Sequence, residues 1–121
     1  SDKPFPRPDI DLSKIIQESK KVFLNPRLET DNCYGEADLI VDECLIDIKM
    51  IGKMNKTEKG RRSQLSRLLF QCLLYSRNAI MNGHTITSVA VYDVCRGRMY
   101  VRRIETRDLD IANYFINSRC H

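Results

Sequence analysis

Two aspartates and a lysine stand out first. They fall in the run Ala37-Asp38-Leu39-Ile40-Val41-Asp42-Glu43-Cys44-Leu45-Ile46-Asp47-Ile48-Lys49-Met50. A hairpin turning at Asp42-Glu43 pairs Val41 with Cys44, Ile40 with Leu45, Leu39 with Ile46 and Asp38 with Asp47. Side chains alternate between the faces of a strand. One face then carries Ala37, Leu39, Val41, Cys44, Ile46, Ile48 and Met50, and the other Glu36, Asp38, Ile40, Leu45, Asp47 and Lys49. On the second face two carboxylates oppose each other, with Cβ atoms roughly 4.5–5.5 Å apart, and like charges so placed repel. Mg²⁺ or Mn²⁺, which prefer carboxylate and carbonyl oxygens, relieve that repulsion. Lys49, two residues past Asp47, adds a positive charge beside them. A divalent cation lowers the pKa of bound water and clamps phosphate oxygens, and a lysine stabilises developing charge. The set suits attack of water on a phosphodiester. The plain alternative is a half-exposed hairpin whose acids face solvent, with Lys49 paired to one of them.

The elements that must hold these residues are legible in outline. The chain of 121 residues is 42% hydrophobic and 30% charged, which fits one folded domain over 1–121 and excludes a low-complexity chain. Residues 1–10 carry three of the four prolines and read as an extended lead-in. Asp11 or Ser13 caps a first helix over about 11–24, with Leu12, Ile15, Ile16, Val22 and Phe23 at helical spacing and Asn25-Pro26 as its stop. Residues 28–50 are strand-like, and 51–62 form a polar, basic loop. Ser63 caps a second helix that ends at Asn82-Gly83. Residues 85–104 read as a hairpin turning at Cys95-Arg96-Gly97-Arg98, and Thr106 or Asp108 opens a last helix. The order is α-β-β-β-α-β-β-α, an α/β or α+β domain with one small sheet.

The second helix and the loop before it add a candidate binding surface. Leu65, Leu68, Leu69, Cys72 and Ala79 make a core stripe, while Gln71 and Tyr75, four residues apart, share another face. The loop carries Lys53, Lys56, Lys59, Arg61 and Arg62 against Glu58 alone, directly after Lys49. Phosphate contact there would make binding salt-sensitive; an ordinary solvated loop is the other reading. The net charge of +4 permits a nucleic-acid partner without demanding one. Five scattered cysteines without a CxxC pair offer no zinc or iron–sulfur spacing and suit a reducing, intracellular compartment, cytoplasm or nucleus. His84 and His121 have no partner at metal-ligand spacing. No apolar run is long enough to cross a membrane, and Ser-Asp-Lys-Pro-Phe-Pro shows no signal-peptide core.

Gly35-Glu36-Ala37-Asp38 followed by Leu45-Ile46-Asp47-Ile48-Lys49 resembles the core motif of the PD-(D/E)XK nuclease superfamily. Gln71-Cys72-Leu73-Leu74-Tyr75 resembles the Q-x-x-x-Y helix motif of its RecB-like and lambda-exonuclease-like branch. The likeness spans roughly residues 11–104, with Ala37 where the superfamily's name has proline. It implies a restriction-endonuclease-like fold, a small mixed sheet flanked by helices, with the apolar hairpin face buried and the acidic face opening into a cleft. It implies Asp38 and Asp47 as ligands of Mg²⁺ or Mn²⁺, the Ile48 backbone carbonyl as a further ligand, and Lys49 as the catalytic lysine. Glu18, the glutamate of the first helix, is a candidate additional ligand, and Glu36 is its rival. Gln71, Tyr75, Lys53, Lys56, Lys59, Arg61 and Arg62 would hold the nucleic acid. The implied activity is metal-dependent hydrolysis of phosphodiesters, in DNA ahead of RNA, with a homodimer or a larger complex as the expected assembly. Two rivals stand beside it: a catalytically inactive nucleic-acid-binding module of the same fold, and a protein-interaction module within a larger assembly.

Overall fold

In the computed structural model, which describes residues 5–7, 11–29, 34–51 and 57–119, the chain is mixed α/β. The elements in order are β1 (Phe5–Arg7), α1 (Leu12–Glu18), β2 (Val22–Leu24), β3 (Arg27–Glu29), β4 (Tyr34–Glu36), β5 (Leu39–Val41), β6 (Cys44–Lys49), α2 (Glu58–Met81), β7 (Ser88–Asp93), β8 (Arg98–Arg103) and α3 (Thr106–Arg119). The main sheet has six strands in the order β1-β8-β7-β6-β5-β2, and β3 with β4 forms a separate ribbon. Every neighbouring pair in the main sheet is antiparallel except β6 and β7, which run parallel. A parallel pair needs a long crossover, and α2 supplies it.

The sheet is covered on both faces. Leu12, Ile15 and Ile16 of α1 pack on Leu39, Val41, Ile46, Ala90 and Met99. On the opposite face Ile40, Leu45, Val89 and Val91 pack on Leu69, Cys72 and Leu73 of α2. α3 lies against α2, with Phe70 and Phe115 edge-to-face at 5.3 Å. The hairpin face that bears the acids is therefore not an open cleft along its length. Ile40 and Leu45, 1% and 0% exposed, belong to the core under α2. β6 lies between two strands and between two helical layers, so Leu45 and Ile46 are buried on opposite faces of it, and Asp47 interrupts the apolar run.

Local chemistry sets the ends of the helices. Asp11 caps α1 by accepting from the Ser13 N–H at 3.0 Å. The helix stops at Ser19, whose N–H and hydroxyl both turn back to the Ile16 carbonyl. Residues 22–24 are consequently strand rather than the second half of a longer helix. The Asp42 carboxylate, in the β5–β6 turn, accepts from the backbone N–H groups of Lys20 and Lys21 at 2.9 and 3.0 Å and draws the chain alongside β5. That long-range pair of bonds overrides the helical spacing of Val22 and Phe23. The described part of the lead-in, Phe5–Arg7, is extended as expected, and it pairs with Val101–Met99 at the sheet edge.

α2 begins six residues earlier than the spacing of apolar residues indicates. Thr57, not Ser63, is its cap, accepting from the Gly60 N–H at 3.0 Å. Glu58 sits favourably in the first turn and pairs with Arg62 one turn on, at 2.6 Å. Its end matches expectation. Gly83 adopts φ 94, its N–H bonds to the Ile80 carbonyl and that of His84 to Ala79. This is the Schellman pattern, for which a left-handed glycine is the favoured residue. At α3, Asp108 accepts from the Glu105 N–H at 2.9 Å and from Arg102 of β8 at 2.8 Å.

Candidate active site

The β5–β6 register is Leu39 with Ile46, Ile40 with Leu45 and Val41 with Cys44, as the hairpin reading requires. One step outward, it sets Asp38 opposite Asp47. Asp38 precedes β5, and its carbonyl accepts from the Asn25 N–H at 2.7 Å, which pins the backbone there. Its carboxylate accepts from the Ile48 N–H at 2.6 Å. The bond fixes Asp38 against the strand that carries Asp47 and Lys49. Ile48 itself packs among Leu39, Ile46 and α1 on the other face, so the residue between Asp47 and Lys49 serves the core.

Asp47 is the unusual member. It is 5% exposed, and one of its carboxylate oxygens, Oδ2, is buried without a hydrogen-bond partner. Lys49 Nζ stands 3.5 Å from that oxygen, too long for a hydrogen bond but close enough for an ion pair. Burial, then the hydrogen bond to the Asp38 carboxyl, raise the pKa of Asp47 from 3.8 to about 7, and the Lys49 charge opposes the rise. Near neutral pH Asp47 therefore holds a proton part of the time. Cys72 of α2 lies close on the same side. Its thiol pKa is raised by burial first and then by the Asp47 charge.

The other sequence-derived residues divide. Gln71 and Tyr75 share a face of α2, and Gln71 donates to the Tyr75 hydroxyl at 2.9 Å. They flank Cys72 and so ride on the helix that covers Asp47. Lys59, Arg61 and Arg62 are not in a loop but in the first turns of α2, with Arg62 held by Glu58. Lys53, Lys56 and the Glu36 side chain lie outside the described residues. Glu18 is exposed at the end of α1, the helix packed on the sheet face opposite Asp47. Among the described residues no group of three His, Cys, Asp or Glu side chains is close enough to hold a metal ion. Among the described residues, Asp38 and Asp47 are the adjacent carboxylates that a cation could use, and the Ile48 carbonyl remains the expected further ligand.

The sequence reading missed Asp93. Asp93 ends β7, is 0% exposed and pairs in parallel register with Lys49. Its Oδ1 accepts from the Cys95 N–H at 3.0 Å, and its Oδ2 is buried without a partner. In the sequence Asp93 stands two residues before the expected turn at Cys95-Arg96-Gly97-Arg98, and only the β6–β7 pairing brings it beside Lys49.

Comparison with protein-family models, with curated proteins and with solved structures finds no match to this chain. Among the described residues no helix is long and apolar enough to cross a membrane.

Proposed function

We propose that the chain is a metal-dependent nuclease of restriction-endonuclease-like fold that hydrolyses phosphodiester bonds, in DNA ahead of RNA. The observation that carries this reading is the buried Asp47 Oδ2, which lacks a hydrogen-bond donor and faces Lys49. A carboxylate oxygen taken from water and left unpaired costs several kcal/mol unless a charge compensates it. The donor set of two carboxylates and nearby carbonyls fits Mg²⁺ or Mn²⁺, hard cations that keep several waters when few protein groups bind them. When bound, such a cation supplies an acidified water and a clamp on phosphate oxygens.

The chain's own residues would do the rest. Asp38, fixed by the Ile48 N–H, presents its remaining lone pairs beside Asp47. Lys49, with a side chain 37% exposed, reaches from the buried acids to solvent, where a phosphate would arrive. There it would stabilise the charge that develops on the phosphate oxygens and on the leaving group. Gln71 and Tyr75 offer polar groups on the covering helix, and Lys59, Arg61 and Arg62 offer positive charge at its start.

The test is cleavage of labelled single-stranded, double-stranded and branched DNA, and of RNA, with Mg²⁺, Mn²⁺ or EDTA. Metal-dependent cutting that Lys49→Ala abolishes is the expected result. Salt-sensitive binding without cutting would move the chain to the non-catalytic binding module. Absence of both would leave the acids as part of a protein-interaction domain.

A further inference from the structure

Asp93 carries a consequence of its own. Register partners on adjacent parallel strands project to the same sheet face. Leu45 with Val89 obeys this rule, since both sit in the core beneath α2. Two residues on, Asp47 pairs with Val91, and two further, Lys49 pairs with Asp93. Lys49 thus has one carboxylate two residues back on its own strand and another directly across on β7. The backbone ties the two positions together, because the Val94 N–H donates to the Lys49 carbonyl at 2.9 Å. Asp93 is fully buried, and the turn uses only its Oδ1. Its Oδ2 has no donor. Among the described residues no three acidic, His or Cys groups converge at metal distance, and the group that Asp93 stands beside is Lys49.

Resting on the nuclease reading, we propose that Asp93 is a positioning residue that receives Lys49 when a divalent cation occupies Asp38 and Asp47. The cation must take the Asp47 Oδ2 that Lys49 now faces at 3.5 Å. Two positive charges cannot share that oxygen cheaply, so the ammonium has to leave. Its side chain is part-exposed, so it is not walled in at that position. The neighbouring strand is only about 4.8 Å away, within the reach of a lysine stem. The buried Oδ2 of Asp93 is an acceptor already in place. Lys49 would then hold its charge beside the site, clear of the ligands, without being lost to solvent.

The test is a double-mutant cycle read by calorimetric Mn²⁺ binding. Asp93→Asn keeps an Oδ1 acceptor for the Cys95 N–H, and Asp93→Ser serves if the amide does not fold, since a serine hydroxyl supports the same type of turn. Without Asp93 the ammonium stays on Asp47 and competes, so Mn²⁺ affinity falls roughly tenfold, the size of one charge-assisted hydrogen bond. In Lys49→Gln, which has no ammonium to relocate, the Asp93 substitution leaves affinity unchanged. An equal fall in both backgrounds would mean that Asp93 acts as a bare charge, and no fall in either would mean that it only shapes the turn; both overturn the proposal. A wild-type chain that binds no Mn²⁺ overturns the metal reading as well, and that result is distinct from the other two.

Discussion

A carboxylate taken out of water must be neutralised, and Asp47 has a proton, Lys49 or a cation with which to do it. Without a cation the proton carries much of the burden, because burial and the Asp38 carboxyl raise the Asp47 pKa from 3.8 to about 7. The consequence for stability has a definite sign. Between these limits the folded chain holds a proton that the unfolded chain has released, so stability falls as pH rises from about 4 to 7 and is flat above. Each pH unit in that window costs up to about 1.4 kcal/mol, and the whole window about 4 kcal/mol as an upper figure. Asp47→Asn cannot ionise and can still bond to Asp38. In EDTA its urea midpoint is expected to be nearly constant from pH 4.5 to pH 8 and to exceed that of the wild type at pH 8. Parallel midpoints for the two proteins would show that Asp47 ionises at its ordinary pKa and that its burial is not felt.

Elements decide how much of this was readable. The β5–β6 register followed from period-two alternation about a two-residue turn, information local to a dozen residues. The end of α2 followed from Asn82-Gly83, where the left-handed position is chemically marked. The beginning of α2 did not, because Thr57 caps through its hydroxyl while the next turn, Glu58-Lys59-Gly60-Arg61, shows no apolar stripe. β2 was misread as helix because the groups that extend it, the Asp42 carboxylate and the strand β5, lie some 20 residues away. The acids at 38 and 47 were legible as a pair, but the double burial of β6 and the nearness of Asp93 to Lys49 depend on β7, which no local pattern announces. Two expectations test these assignments. Thr57→Ala removes one cap bond and should cost about 1 kcal/mol, seen as a fall in Tm of roughly 4 °C. An unchanged Tm would put the working start of α2 nearer Ser63. Leu45→Ala opens a cavity at the centre of the sheet and should cost 2–5 kcal/mol, about the range for buried leucines. A cost under 1 kcal/mol would mean that α2 does not pack on the acid-bearing face.

At the scale of the whole molecule, the proposed site lies on the strands that hold the sheet together. β5 and β6 are interior strands, and both helical layers pack on them. A ligand that joins Asp38 to Asp47 therefore ties β5 to β6 and stabilises the folded chain as a unit, not a peripheral loop. For a domain that unfolds in one step, binding to the folded state alone adds RT ln(1 + [L]/Kd), about 2.7 kcal/mol at a hundredfold excess over Kd. With roughly 4 °C per kcal/mol for a chain of this length, Mn²⁺ should raise Tm by about 10 °C at that excess. The rise should grow with pH between 6 and 8, because the cation must displace the proton that Asp47 holds up to about pH 7. Asp38→Asn should lose it. Ca²⁺, which takes more ligands than two carboxylates and a carbonyl provide, should give a smaller one. Scanning calorimetry of the full chain with Mn²⁺, Ca²⁺ or EDTA at pH 6 and pH 8 measures all of these at once. A rise that survives in Asp38→Asn would place the cation elsewhere, and a Tm indifferent to Mn²⁺ at both pH values would leave the proton and Lys49 as the only groups that neutralise Asp47.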